Sequence, residues 1–192
     1  MTTGKSPAAK GGFRPDRTVV MIGPMAVGKS VIGAELAKAL GVEFVDTDQQ
    51  IVAKYGPVAH IFASHGEHYF RRLEARAVAE VLDTPTPKAA VLSLGGGAVL
   101  DSGTQQLLER AVVVYLQADL DTVRDRITRN TGRPLLAADP LAAWSKLAGL
   151  RAPVYERLAD IIVDVKNSSV PELVERLTTL LISESKKENT AP

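Results

Sequence analysis

Thr18-Val-Val-Met-Ile22 runs into Gly23-Pro-Met-Ala-Val-Gly28-Lys29-Ser30, and this join decides how the chain is read. The first five residues are mostly β-branched or large and apolar, the make-up of a short strand. The next eight satisfy G-x-x-x-x-G-K-[ST]. Ile32, Leu36 and Leu40 follow at helical spacing, so a strand passes through a glycine-bounded loop into a helix. Such a loop can wrap a phosphate: glycines let the backbone approach, successive N–H groups point inward, and the helix presents its positive end. Nucleotide-phosphate contacts are therefore expected from Ala26, Val27, Gly28, Lys29, Ser30 and Val31. Lys29 would bridge the β- and γ-phosphates, and the Ser30 hydroxyl would ligate Mg²⁺.

Beyond that join, strand-like and helix-like segments alternate. Residues 42–45 read as a second strand, 89–94 and 111–116 as apolar strands buried on both faces, and 161–163 as a last one. Helical spacing marks 59–62, 67–82, the stretch around Leu120, Val123 and Ile127, and 141–158. A closing amphipathic helix runs through Val170, Leu173, Val174, Leu177, Leu180 and Leu181. Five strands separated by helices predict a three-layer α/β/α sandwich around a five-stranded parallel sheet, because parallel neighbours need crossover connections. One domain is expected over residues 17–183. Residues 1–16 and 184–192 read as loose polar tails, too poor in apolar groups to offset ordering entropy. Residues 127–140, with Gly132, Pro134 and Pro140, read as a mobile lid.

Three clusters carry further chemistry. Asp46-Thr47-Asp48 closes the second strand; residues i and i+2 of an extended chain share a side, so both carboxylates are expected to face the crevice beyond the strand ends. One could hold Mg²⁺ through water while the other orients a substrate hydroxyl. The alternative is a helix N-cap, a role either aspartate suits before Gln49-Gln50-Ile51. Gly95-Gly96-Gly97 ends the third strand and permits close backbone approach to a ligand, or else a structural turn. The basic cluster is Arg71 and Arg72 on one helix, Arg133 in the lid and Arg151 on a later helix. Phosphoryl transfer needs cations on the transferring oxygens, and a carboxylate substrate needs a bidentate arginine clamp.

The P-loop, Asp46-x-Asp48, Gly66-Glu67-x-x-Phe70-Arg71-x-x-Glu74, the triple glycine, Arg133-Pro134-Leu135-Leu136 and Arg151-x-Pro153-x-Tyr155 stand in the order and spacing of shikimate kinases. The chain resembles that family from about residue 18 to about residue 181. The resemblance implies a P-loop fold like that of nucleoside-monophosphate kinases. It also implies transfer of the γ-phosphoryl group of Mg·ATP to the 3-hydroxyl of shikimate, a step toward chorismate and the aromatic amino acids. It assigns Asp48, Arg71, Gly96 and Arg151 to shikimate, with both arginines on its carboxylate. Lys29, Asp48 and Arg133 are the implied catalytic set, Asp48 taking the hydroxyl proton and Arg133 closing over ATP. Arg126 and the loop carrying Ser168 are implied to border adenine, and Ser30 with Asp46 to organise Mg²⁺. The chain departs from the pattern at Met25-Ala26, which replaces a glycine many relatives have. Val52 replaces an acid, and the loop at residues 165–169 has no arginine.

Bulk properties narrow the alternatives. Of 192 residues, 45% are hydrophobic and 23% charged, with a net charge of +1, so no nucleic-acid-coating or membrane-hugging surface is expected. There is no cysteine, hence no disulfide framework or thiolate chemistry, which fits the cytoplasm. His60, His65 and His68 lack the H-E-x-x-H pattern of a zinc site and read as surface imidazoles. Trp144 reads as a core residue. A monomer is expected, since no apolar stripe is left over. Two other functions remain in view: a related kinase of another hydroxy acid such as gluconate, and a nucleotide-binding module without catalysis. No N-K-x-D guanine motif is present, and Lys29, Asp48 and Arg133 are all retained, which favours an enzyme.

Overall fold

The computed structural model describes residues 13, 15–83, 89–129, 134–136 and 139–188. Strands Val19–Ile22 (β1), Glu43–Asp46 (β2), Ala90–Ser93 (β3), Val112–Gln117 (β4) and Ile161–Asp164 (β5) form one parallel sheet in the order β2-β3-β1-β4-β5. β1 is central: Val20 stands in register with Leu92 on one side and Val113 on the other. Its residues are essentially inaccessible, which is why they read as an uninterrupted apolar run.

Successive β1 side chains point to opposite faces, and each face has its own helices. Val19 and Met21 meet Leu36 and Leu40 of helix α1 (Lys29–Leu40) and Leu173, Leu177 and Leu181 of helix α7 (Val170–Glu188). Val20 and Ile22 meet Val78 and Leu82 of α3 (Val58–Leu82), Leu108 of α4 (Ser102–Leu108) and Tyr155 of α6 (Pro140–Leu158). Helix α2 (Thr47–Tyr55) packs through Ile51 on the start of α3, and α5 (Leu120–Arg129) packs through Val123 and Ile127 on Trp144 of α6. This is the expected α/β/α sandwich. Among the described residues, no helix is long and apolar enough to cross a membrane.

Several expectations need correction. The two helical stretches at 59–62 and 67–82 join into α3, broken at Gly66, whose φ of 79° and ψ of 171° no helix contains. α2 and α4 carry too few buried apolar positions to show periodicity; each instead announces itself by an aspartate cap, Asp46 on Gln49 N–H and Asp101 on Thr104 N–H. Residues 184–188, expected to lie outside the domain, belong to helix α7. α7 continues to Glu188, with the Ser183 hydroxyl donating to the Thr179 carbonyl and Lys187 pairing with Glu184 one turn back. Near the other end, Pro15 is buried and Phe13 packs against the core beside Leu181.

Candidate active site

The ligand-facing loops follow the carboxyl ends of the strands, where open α/β sheets bind ligands. The loop after β1 is a cradle with its outward carbonyls taken. Lys29 Nζ donates to Gly23 O at 2.8 Å and Pro24 O at 2.9 Å. Trp144 Nε1 donates to Met25 O at 2.8 Å, and the Arg126 guanidinium to Ala26 O at 3.1 Å and Val27 O at 3.4 Å. Gly23 must be glycine, since its φ is 138° and a Cβ would lie 2.5 Å from Leu116 O of β4. Ala26, one of the two residues within which the expected glycine is missing, also has positive φ, 67°, a conformation that favours glycine.

β2 ends one residue too early for the side-sharing argument applied to Asp46 and Asp48. Asp46 is the last strand residue and Asp48 sits in the first turn of α2. Capping and site chemistry coexist in Asp46: Oδ1 accepts from Gln49 N–H at 3.1 Å, while Oδ2 accepts from the Ser30 hydroxyl at 2.5 Å. A hydroxyl and a carboxylate side by side are hard oxygen donors. They suit a magnesium ion that draws its other ligands from phosphates and water. Among the described residues there is no group of three or more His, Cys, Asp or Glu able to cage a metal alone. His60, His65 and His68 are all exposed.

Asp48 faces a cleft of about 420 Å³ that also contains Arg71, Glu74, Arg151 and the triple glycine. The glycines make this crowd possible. A Cβ at Gly95 would collide with Glu74 Oε1 and stand 2.7 Å from Asp48 Oδ1; one at Gly97 would collide with the Arg71 guanidinium. At Gly96 it would approach Gly23 O of the phosphate loop to 3.3 Å, so the two loops touch.

Glu74 entered the sequence reading only as the last residue of the Gly66–Glu74 motif, with no role assigned, yet it is the most deeply buried charged group of the cleft, 1% exposed. It pairs with Arg71 at 2.5 Å, and Arg71 also pairs with Glu67 at 2.7 Å. Burial pushes the Glu74 carboxyl up to about 7; the Arg71 guanidinium opposes this and the Asp48 charge adds to it. Burial alone would lower Arg71, but Glu74 and Glu67 more than offset it, so its pKa is raised. The spacing Arg71-x-x-Glu74 on one helix was the available signal. Tyr155, one helical turn after Arg151, donates its hydroxyl to Gly96 O at 2.5 Å. Burial pushes that phenol up to about 12, with Arg151 pulling the other way. Arg151 is itself buried. Arg72 points elsewhere, exposed and over the Tyr69 ring at 5.4 Å.

A second cavity of about 270 Å³ adjoins the loop on its α7 side, walled by Gly28, Val31, Arg126, Val165 and Ser168. The segment carrying Ser168 is tied down by Lys166, which pairs with Asp119 at 2.7 Å; that hydrogen bond holds the Asp119 carboxyl well below the usual range. Arg126 therefore reaches both cavities. Arg133, with the rest of residues 130–133 and residues 137–138 of the segment read as a lid, lies outside the described residues. The lid's later part is described: Leu136 is buried against Trp144, Val123 and Ile127.

Comparison with known proteins agrees with this geometry. The family model for shikimate kinase matches residues 25–181. A shikimate kinase of Francisella tularensis subsp. novicida is 38% identical over 172 residues, 88% of this chain and 97% of that one. Among solved structures, a shikimate kinase from Acinetobacter baumannii in complex with shikimate superposes with a TM-score of 0.82 at 32% identity, covering 88% of this chain and 94% of its own. A gluconokinase from Sinorhizobium meliloti shares the fold, with a TM-score of 0.64 at 21% identity over 93% of this chain and all of its own. With a phosphate loop, paired arginines and a glycine-rich third loop in one cleft, and relatives of this kind along most of its length, the chain belongs to the shikimate kinase family.

Proposed function

We propose that the protein transfers the γ-phosphoryl group of Mg·ATP to the 3-hydroxyl of shikimate. The observation that carries this reading is the convergence of Arg71 and Arg151 with Asp48 on one cleft whose far wall is the phosphate loop. Two guanidiniums suit a carboxylate, which they can grip bidentately, and Asp48 then stands where a ring hydroxyl can be oriented. As the hydroxyl oxygen bonds to the γ-phosphorus and the bond to the β-bridging oxygen breaks, the proton passes to Asp48 and ADP leaves. Lys29 would turn from Gly23 O and Pro24 O to the β- and γ-phosphates, and the backbone from Ala26 to Val31 would hold the phosphate oxygens. Ser30 and Asp46 would hold magnesium, which would supply charge neutralisation on the phosphates when bound. Arg133 is assigned to the transferring phosphoryl group on the family resemblance. The cavity beside Arg126 and Ser168 is apolar on its Val31 and Val165 walls and suits adenine.

We assign the enzyme to the cytoplasm, which the cysteine-free sequence fits. We also take it to be a monomer, because the apolar stripe of α7 is used on its own sheet. The deciding experiment is ATP consumption by the purified protein with Mg²⁺ and shikimate, alongside gluconate and no-acceptor controls. Shikimate-dependent turnover is expected. Turnover with gluconate alone would keep the kinase and discard the substrate, and ATP binding without turnover on either would leave a binding module.

A further inference from the structure

We propose that Trp144 is a positioning residue of the phosphate loop, its indole N–H acting with Arg126 to hold Ala26 in a left-handed conformation that the alanine side chain opposes. The inference rests on the loop being the nucleotide-phosphate site and adds how this chain builds it without the usual glycine.

Ala26 has a φ of 67°, a conformation in which a Cβ crowds the following carbonyl. Such strain persists only where the surroundings over-determine it. Here they do. Three consecutive carbonyls are fixed from outside: Met25 O by Trp144 Nε1 at 2.8 Å, then Ala26 O and Val27 O by the Arg126 guanidinium. No described peptide bond is cis, so each unit carries its N–H opposite its carbonyl. Anchoring the carbonyls of 25, 26 and 27 on α5 and α6 therefore turns the N–H groups of Ala26, Val27 and Gly28 the other way, toward the cleft.

The Trp144 ring is buried with Val123, Ile127 and Leu136 and is not among the groups lining the cleft, so it acts on a bound phosphate only through the Met25 carbonyl. A buried indole N–H needs an acceptor, and here that acceptor is a carbonyl of the phosphate loop. Its place on α6 adds weight. Trp144, Arg151 and Tyr155 are spaced at seven and four residues, one stripe of the helix, so the face that presents Arg151 to the cleft also grips the phosphate loop.

The test is a double-mutant cycle between Trp144→Phe, which keeps an aromatic ring and deletes the donor, and Ala26→Gly, which removes the strain. ATP affinity is measured calorimetrically with Mg²⁺, and KM for ATP and for the acceptor by steady-state turnover. In the wild-type background, Trp144→Phe is expected to weaken ATP about tenfold, because Met25 O is left without its donor, and to leave the acceptor KM within about twofold. In the Ala26→Gly background the same substitution should weaken ATP by less than about twofold, since glycine holds the conformation unaided. An equal loss in both backgrounds, or no loss in either, overturns the proposal. If Trp144→Phe does not fold, Ala26→Gly alone decides: relief of strain should raise the thermal midpoint by about 2–4 °C, and an unchanged or lower midpoint overturns it. A wild-type chain that fails to bind ATP overturns the nucleotide reading and this inference with it. Tight wild-type binding with an indifferent Trp144→Phe overturns this inference alone.

Discussion

Replacing Glu74 by glutamine should change how the stability of this protein depends on pH. The carboxyl is buried against Arg71 with Asp48 near it, and burial lifts its pKa from 4.5 to about 7. The folded state thus holds this proton more tightly than the unfolded chain does. The sign follows: the group's contribution is fully favourable below the unfolded value and is lost as pH rises through the folded one. Between about pH 5 and about pH 8 the loss integrates to roughly 2–3 kcal/mol. Glutamine keeps an acceptor for Arg71 but cannot ionise. Relative to wild type, Glu74→Gln should therefore gain about 2–3 kcal/mol across that interval, whatever its constant offset from the altered pairing. Urea unfolding of both proteins at several pH values measures this directly. Curves that run parallel from acid to mildly alkaline pH would refute the reasoning, and would mean that Glu74 is ionised throughout and held so by Arg71.

Other substitutions probe the remaining parts of the cleft. Asp48→Asn, and separately Arg133→Ala, should slow shikimate-dependent turnover by ~10²-fold or more; near-normal kcat in a purified variant would remove that residue from the transfer step. Tyr155→Phe deletes the hydroxyl that holds Gly96 O and should raise the KM for shikimate about tenfold while changing that for ATP little, as steady-state kinetics with each substrate varied would report. Gly95→Ala forces a Cβ into Glu74 Oε1 and should lower stability by about 1–3 kcal/mol, read as a fall in thermal midpoint; an unchanged midpoint would mean the charged cluster can spread.

The sequence carried the sheet and the phosphate loop because both depend on local pattern. β1, β3 and β4 are buried on both faces and read as apolar runs, and the loop's chemistry lies in eight consecutive residues. What it hid depends on depth and on contacts between distant segments. Glu74 looks like any helical glutamate paired with an arginine three residues earlier; its burial depends on groups distant in sequence, Gly95 among them, closing over it. Trp144 was legible as a core residue, but its N–H meets a carbonyl 119 residues away. Asp46 and Asp48 were legible as candidate acids of the site, yet assigning them to one strand missed the helix that starts between them.

Because the sheet is wholly parallel, the molecule has a working end and a blank one. The segments at the carboxyl ends of β1, β2, β3 and β5 supply the phosphate loop, Asp46 and Asp48, the glycines and a wall of the smaller cavity. The turns entering β2, β4 and β5, at Gly41-Val42, Glu109-Arg110 and Asp160, lie at the opposite end and are largely exposed. Peptide tags, inserted domains and new chain termini placed there meet solvent rather than substrate, so this end is where the protein can be redesigned as a component without touching its chemistry.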